Sequence, residues 1–398
     1  MKGEKKPTQK GSRIYFASLI IYLLLSFWIR TSEWVLWMNY LSIAAGIFAI
    51  LQQRVSLNGQ QCNITATNFL LCVFLVVSVA LSDTSQGMET TNGRLICTVT
   101  IAMHMTLSAI LLSGHSSKKW EKLFYILCVA AIIGTLQFYH WSDLMAGLRG
   151  EVRLGKELIG INLYGITMAM LSLFAFYKGV TQKQFRTSHM LLFALLFLFS
   201  VTSGSRKAIL SVLVGAPLFL LLNNRKSTGD MIVKIALVVA VALFLLSQLD
   251  FTRGLWQRLS TLWTESDVAV GESDEMRNQM IRKAVQGWWQ SPLWGHGFNT
   301  FTVHGGFDTY SHCNYAEILF NTGLIGLLLT YGPRILLLIG YAKNVKRWYD
   351  PFASFIFTVA ILITAFEYAC VTYYEGIMNF YWWIAAAYFI KKQKETAV

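Results

Sequence analysis

The segment Ser311-His312-Cys313-Asn314-Tyr315-Ala316-Glu317 places polar and ionisable side chains at the start of a long apolar run. A histidine that is neutral near pH 7 can accept a proton from an attacking hydroxyl group. Ionisable side chains at a membrane boundary are costly, so they usually mark a site that handles a polar substrate. We therefore predict that His312 is catalytic and that Asn314 and Glu317 help to bind substrate. A hydrogen-bonding role at the membrane interface is the alternative. Two other histidines of the same loop are rival candidates, His296 and His304.

Two arginines occupy positions suited to binding an anion, because a guanidinium holds phosphate or carboxylate through two parallel hydrogen bonds and stays charged. Arg206 follows a short polar turn, Thr202-Ser203-Gly204-Ser205, between two apolar runs, which should hold it near the membrane surface. Arg277 falls within the apolar arc of a predicted helix that Ser273 caps and Pro292 ends. A lipid headgroup could instead bind Arg206, and a carboxylate of the same loop could pair with Arg277.

A third basic segment, Arg149-Gly150-Glu151-Val152-Arg153-Leu154-Gly155-Lys156, precedes Asn162 and Tyr164 in the next apolar run. Solvated loop charge accounts for these residues about as well as ligand binding does. We keep Arg153 as a candidate substrate-binding residue.

The elements that must position these side chains are membrane-spanning helices. More than half of the 398 residues are apolar, only 14% are charged, and the mean hydropathy is +0.47. Apolar runs of roughly 17–25 residues, the length needed to cross a bilayer core, recur along the chain. The predicted fold class is all-α, a single polytopic membrane domain over residues 1–398 with about twelve spans. The spans are expected near residues 14–29, 34–52, 66–82, 95–113, 122–140, 158–177, 188–203, 207–222, 231–249, 316–340, 352–370 and 376–390.

The net charge of +13 suggests nucleic acid at first sight, but the distribution of lysine and arginine explains it otherwise. If the N-terminus is cytoplasmic, most of the cations fall on the cytoplasmic side, as the positive-inside rule expects. Both termini are then predicted in the cytosol, and residues 250–313 form a large, partly helical extracytoplasmic loop that caps the bundle. No nucleic-acid partner is expected.

Several common kinds of site have no counterpart in the sequence. The six cysteines form no Cys-x-x-Cys pair, so neither a disulfide framework nor a zinc site is indicated. There is no GxxxxGK[ST] phosphate loop, no HExxH motif, no dinucleotide fingerprint and no acidic cluster of the type that holds magnesium or calcium. Arginines with one histidine therefore suggest a phosphorylated lipid whose leaving group is already activated.

At these residues the chain resembles the O-antigen polymerases and O-antigen ligases of bacterial envelopes. The resemblance covers roughly residues 200–330 and rests on short features in a fixed order. They are Ser205-Arg206, an arginine fourteen residues before Ser291-Pro292, which selects Arg277, the turn Trp294-Gly295-His296-Gly297-Phe298, and Ser311-His312-Cys313-Asn314-Tyr315 leading into Asn321-Thr322-Gly323-Leu324-Ile325-Gly326. Cys313 departs from the family, in which asparagine is frequent after the histidine.

The resemblance implies a membrane glycosyltransferase that moves a glycan from an undecaprenyl diphosphate carrier at the outer face of the bacterial inner membrane, with no metal or nucleotide cofactor. Arg206 and Arg277 would hold the diphosphate, and His312 would orient or deprotonate the acceptor hydroxyl. Attack at the anomeric carbon is expected with inversion. The expected partners are the lipid-linked donor and acceptor, the membrane and a chain-length regulator. Five tryptophans of the loop are candidates for stacking on sugar rings: Trp256, Trp263, Trp288, Trp289 and Trp294.

Within this resemblance, a polymerase that joins lipid-linked repeat units of O-antigen or capsule polysaccharide is slightly favoured over a ligase that moves finished polymer onto the lipid A core. The preference rests on residues 314–326 alone. A lipid-linked glycan transporter or flippase is the alternative from another class, and it would place charged residues at mid-bilayer depth, often in broken helices. A purely structural scaffold would leave Arg277 and His312 unexplained.

Overall fold

The computed structural model describes residues 9–28, 33–52, 57–80, 82, 88–224, 268–307 and 309–396, with backbone only for residues 9–10 and 268–274. These residues form fourteen helices and no strand. The first nine are α1 (Gln9–Trp28), α2 (Glu33–Gln52), α3 (Gly59–Ala80), α4 (Met88–Leu111), α5 (Ser117–Phe138), α6 (Trp141–Arg149), α7 (Ile161–Thr181), α8 (Arg186–Thr202) and α9 (Arg206–Asn223). The last five are α10 (Val268–Trp288), α11 (Thr300–His304), α12 (Asn314–Trp348), α13 (Pro351–Phe366) and α14 (Gly376–Thr396).

The prediction of an all-α polytopic membrane protein is confirmed. Eight of the described helices are long and apolar enough to cross a membrane, and two shorter apolar helices, α8 and α13, accompany them. Eleven of the expected spans coincide with a described helix. The remaining one, expected at 231–249, lies outside the described residues.

The helices pack around one aromatic-rich core. α7 packs against α8 and α9, while α4 packs against α3 and α14. Nearly every residue of α7, and of the first two thirds of α14, is buried. A helix that is enclosed on all sides has to be apolar all round, which explains why neither sequence shows a clear polar face.

The α12 helix is broken in its first third. Gly323 has φ 62° and ψ −163°, which lies outside helical space. The side-chain amide of Asn314 donates to the hydroxyl of Tyr331, seventeen residues further on, at 2.5 Å. A straight helix would separate two such residues by ~25 Å, so the two halves of α12 fold back on each other. The span expected at 316–340 is therefore not one continuous helix.

The break in α12 is filled by the backbone of the loop that follows α10. The N–H of His296 donates to the carbonyl oxygen of Phe320 at 2.9 Å, and three similar backbone bonds accompany it. A Cβ at Gly323 would lie 2.4 Å from the carbonyl group of Leu293. Glycine alone tolerates both this approach and the positive φ. The 294–298 turn and Gly323, which carry part of the family resemblance, thus join this loop to the bundle.

The described part of the loop expected at 250–313 contains α10 and α11, so the cap is partly helical as predicted. Its first helix, however, begins at Val268. The expected cap, Ser273, therefore lies inside α10, and that detail of the prediction is wrong. A capping preference is a local signal, and it is overridden when the preceding residues continue the helix. Met280 and Ala284 are buried in a cluster with residues of α12, as the apolar arc predicts.

Candidate functional site

Four cationic side chains come together at the cap end of the bundle, by which we mean the end at which α10 and α11 lie. The charges of Arg277, Arg206 and Arg153 all act on the ammonium group of Lys207. Arg206 and Lys207 begin α9, Arg277 lies on α10, and Arg153 lies in the loop before α7. We call these four residues the cation cluster. Like charges repel one another, so this arrangement favours the binding of an anion.

His312 belongs to the same site. Burial, together with the positive charges of Arg277 and Lys207, lowers the pKa of His312 to about 4. The imidazole is half-buried, and its centroid lies 4.4 Å from that of the Tyr310 ring. An imidazole with this pKa is neutral at pH 7 and can accept a proton. The structure thus brings His312 and the cation cluster together.

The turn that presents His312 is held in an unusual conformation. His312 has a φ of 61°, in the left-handed region that costs a residue other than glycine about 1–3 kcal/mol. The N–H of Ser311 donates to the Glu317 carboxylate at 2.7 Å, and the N–H of Cys313 donates to Ser311 Oγ at 3.3 Å. These bonds on either side of His312 maintain the left-handed backbone, so Glu317 fixes the position of the imidazole.

Glu317 and Asn314 are fully buried, and their polar atoms bind other parts of the protein. The Glu317 carboxylate also accepts a hydrogen bond from the Tyr373 hydroxyl at 3.4 Å and lies 3.9 Å from the guanidinium of Arg94. Asn314 Oδ1 accepts a hydrogen bond from the N–H of Thr372 at 3.0 Å. The structure therefore places both residues in the scaffold that carries His312, beneath the cation cluster.

The loop that carries Arg153 is attached to the turn that carries Arg206. Arg153 Nε donates to the carbonyl oxygen of Ser203 at 3.0 Å, and Arg153 Nη2 donates to Asn162 Oδ1 at 3.1 Å. Arg153 is exposed, so its guanidinium is anchored on one side and accessible on the other. Arg149 in the same loop instead forms an exposed ion pair with Glu151 at 2.6 Å.

Two functional candidates were missed by sequence analysis. Lys207 donates to the carbonyl of Ala369 and so ties α9 to the loop after α13. Its signal is a second consecutive cation in the first turn of a helix, where the backbone dipole is also positive. Arg94 lies immediately before the apolar run that begins at residue 95, and an ionisable side chain at such a membrane boundary usually marks a functional or paired group.

The rival histidines have other surroundings. His296 Nε2 lies 2.8 Å from the carbonyl oxygen of Gly287, and its ring packs against Phe320 with centroids 4.6 Å apart. His296 thus joins α10 to α12. His304 is exposed at the end of α11.

The candidate sugar-stacking tryptophans divide into two sets. Trp289 and Trp294 are exposed, with Trp288 beside Trp289 and Trp294 stacked on Phe74. Trp256 and Trp263 lie outside the described residues.

The side chains that could bind a ligand at this site are mostly cationic, so the site suits an anionic ligand. Among the residues that the structure describes, no group of three or more histidine, cysteine, aspartate or glutamate side chains could hold a metal ion.

Comparison with known proteins agrees with this geometry. The model of the O-antigen ligase family matches residues 191–331. That range contains most of α8, the helices α9 to α11 and the break in α12, and with them Arg206, Arg277 and His312. No curated protein matches the chain significantly. The match supports an enzyme of the O-antigen ligase or polymerase type in a multi-pass membrane protein. Residues 191–331 are therefore similar to the O-antigen ligase family, and this range carries the motifs that resemble O-antigen polymerases and ligases.

Proposed function

We propose that this protein is an O-antigen or capsule polysaccharide polymerase that joins undecaprenyl-diphosphate-linked repeat units at the outer face of the bacterial inner membrane. The observation that carries the proposal is that Arg277 and Lys207 of the cation cluster act on His312, and that all three residues lie within the matched range 191–331. A diphosphate is the kind of ligand that the clustered charge suits, and a neutral imidazole suits an acceptor hydroxyl.

The cation cluster supports binding of the donor diphosphate. Arg206 and Lys207 lie at the N-terminus of the 18-residue α9, whose backbone dipole adds partial positive charge there. Arg277 comes from a different helix, so it can hold the diphosphate from another side. Hydrogen bonds between charged groups contribute about 1.5–3 kcal/mol, so loss of either arginine should weaken donor binding by roughly 10–100-fold.

In the proposed reaction, the acceptor hydroxyl oxygen attacks the anomeric carbon of the donor sugar. A glycosidic bond forms while the bond between that carbon and the diphosphate oxygen breaks. The hydroxyl proton passes to the imidazole of His312, and the electron pair of the broken bond leaves with the diphosphate. The cation cluster stabilises the charge that develops on this leaving group. Attack opposite the leaving group gives inversion, and neither a metal nor a nucleotide takes part in this scheme.

The remaining predicted site residues receive different roles in this proposal. Glu317 and Asn314 position the turn of His312, since their polar atoms bind the scaffold. Arg153 extends the cation cluster towards solvent and contacts the donor beyond Arg206. The cap end faces away from the cytosol and both termini face the cytosol, which the distribution of lysine and arginine supports. A chain-length regulator would then bind on the same outer side.

Two features also fit the transporter hypothesis, namely the broken α12 and a buried ion pair, Arg334–Glu367, at 3.1 Å. The pair, however, is closed by further hydrogen bonds from Tyr331 and Thr372 to Glu367, both at 2.7 Å. The break is filled by the loop after α10. Both features are thus used within the fold, which favours chemistry at the cap end over alternating access.

Product sizing separates the possible activities. Purified protein in nanodiscs should convert lipid-linked repeat units alone into a ladder of longer lipid-linked glycans. A single shift that requires an added lipid A core acceptor would assign the ligase activity instead. Donor binding without any product in either reaction would contradict the enzyme and support the transporter.

A further inference from the structure

A second candidate site lies at the cap end, in a mostly apolar cavity of about 160 Å³ with several polar groups, between α1, α2, α4 and α14. This volume is below the ~300–1,000 Å³ of pockets that hold drug-sized ligands, so the cavity suits a single ring-sized group. Six residues that define its chemistry are Tyr22, Asn39, Cys97, Thr100, Tyr374 and Glu375.

The cavity is a neighbour of the His312 turn. Tyr374 lines the cavity, and the guanidinium of Arg94 lies 4.8 Å from the centroid of its ring. Arg94 in turn lies 3.9 Å from the carboxylate of Glu317, which holds the backbone beside His312. A short chain of contacts therefore connects the cavity wall to the catalytic candidate.

Glu375 is electrostatically connected to both places. Its charge acts on the phenol of Tyr22, which lines the cavity, and also on Tyr310, whose ring contacts His312. Glu375 begins the turn into α14, because its N–H donates to the carbonyl of Thr372 at 2.8 Å. Since Glu375 also lines the cavity, its charge acts both in the cavity and beside His312.

The floor of the cavity is preorganised. The Asn39 amide donates to Thr100 Oγ1 at 3.0 Å, and Asn39 Oδ1 lies 2.8 Å from His104 Nε2. His104 Nδ1 lies 3.1 Å from the Tyr15 hydroxyl, and all four residues are buried. Because these polar groups already hold one another in place, a ligand would bind without a large cost in ordering them.

The composition of the cavity suits a sugar and not a phosphate. A carboxylate accepts hydrogen bonds from hydroxyl groups, and aromatic rings pack against the apolar face of a pyranose. The negative charge of Glu375 would repel a diphosphate, in contrast to the charge of the cation cluster. The two sites therefore differ in the ligand that each attracts.

We propose that this cavity is a subsite for a sugar of the acceptor glycan next to the one whose hydroxyl attacks, and that Glu375 accepts a hydrogen bond from a hydroxyl group of that sugar. The inference rests on the proposed function, since a glycan polymerase needs a second sugar site beside the donor diphosphate. Glu375 is a binding residue in this assignment, and proton transfer remains with His312.

Cys97 provides a built-in probe of occupancy. Purified protein in nanodiscs is treated with a small methanethiosulfonate, with and without the glycan of the producing strain released from its lipid by mild acid. Peptide mass spectrometry follows Cys97, and the exposed Cys62 of α3 serves as the control in the same sample. The glycan should slow modification of Cys97 and leave Cys62 unchanged. Equal modification of Cys97 at saturating glycan would overturn the proposal.

Two variants test the role of Glu375. Glu375→Gln should raise both the glycan concentration for half-protection of Cys97 and the KM for acceptor by about tenfold, with donor affinity unchanged. Glu157→Gln, an exposed carboxylate in the loop before α7, is the matched control and should change neither. Unchanged protection in a folded Glu375→Gln protein would overturn the assignment. If that variant does not fold, Leu36→Trp at the partly open cavity wall should abolish protection, and retained protection would overturn it equally.

Failure of the subsite and failure of the proposed function are distinguishable. Arg277→Ala should lose transfer and keep the protection of Cys97, because it removes the donor site alone. If the glycan protects Cys97 in the wild-type protein but no product forms, the proposed polymerase activity is refuted and a glycan-binding site remains. If product forms but the glycan does not protect Cys97, the subsite is refuted and the proposed polymerase activity remains.

Discussion

The cap end of the bundle contains two kinds of ionic arrangement that use charge in opposite ways. In the scaffold, Arg334 lies 3.1 Å from Glu367 and Arg94 lies 3.9 Å from Glu317, and both carboxylates are buried. In the cation cluster, positive charges act on one another and on His312. Breaking a buried pair leaves an uncompensated charge, whereas gathered like charges work against folding. We infer that the first arrangement serves the fold and that the second serves the proposed diphosphate ligand.

The largest effect on activity is expected at His312. His312→Ala should lower kcat by about 10²–10⁴-fold, the usual contribution of a general base, while expression and membrane insertion stay normal. The exposed His304→Ala is the control and should retain activity. Glycan transfer assayed with lipid-linked repeat units checks both variants, and a normal product from His312→Ala would remove the general base from the account.

The scaffold pair should show its largest effect in stability. Glu367→Ala leaves Arg334 buried without its carboxylate and should lower the free energy of unfolding by about 3–5 kcal/mol. Glu151→Ala removes an exposed pair with Arg149 and should leave the free energy of unfolding almost unchanged. Denaturation of the purified proteins in detergent compares the two. If both variants unfold alike, the assignment of Glu367 to the scaffold is wrong.

Variants of the cation cluster should lose ligand affinity and keep most of their stability. Arg277→Ala should weaken donor binding by roughly 10–100-fold, yet lower the melting temperature of the unliganded protein less than Glu367→Ala does, because Arg277 is only partly buried. Arg277→Lys should recover only part of the affinity, since the bidentate geometry is lost. A fall in melting temperature as large as that of Glu367→Ala would show that Arg277 belongs to the scaffold instead.

A smaller effect is expected in the pH profile. Because the pKa of His312 is lowered to about 4, kcat/KM should stay level from pH 8 to about pH 5 and fall below that as the imidazole takes up a proton. Removal of a neighbouring positive charge favours the imidazolium and raises this pKa. Arg277→Gln should therefore move the acid limb upwards by on the order of one pH unit. If the acid limb does not move, the charge of Arg277 does not act on His312, and this part of the site is wrong.

The sequence was sufficient to predict eleven of the spans and to single out three residues that the structure brings near one another. Span positions follow from the length of apolar runs, which the bilayer dictates. Arg206, Arg277 and His312 each lie beside a recognisable boundary or on a periodic face, so local patterns single them out. Nothing in these patterns needs knowledge of distant contacts.

The remainder of the site depends on contacts that local patterns do not contain. Asn314 and Glu317 lie within five residues of His312. Their side chains are nevertheless buried in the scaffold, because α12 folds back at Gly323. Arg94 meets Glu317 only because α4 packs near the start of α12. Periodicity assumes a straight helix, and it gives no register between helices, so these roles needed the structure.

The most direct test of the account is binding of a diphosphate lipid at the cation cluster. Calorimetry with farnesyl diphosphate, a short-chain probe, would compare the wild-type protein with the double variant Arg206→Ala/Arg277→Ala and with the control Arg149→Ala. The account predicts a Kd that is at least about 100-fold higher in the double variant and unchanged in the control. Equal affinity in all three proteins would contradict it.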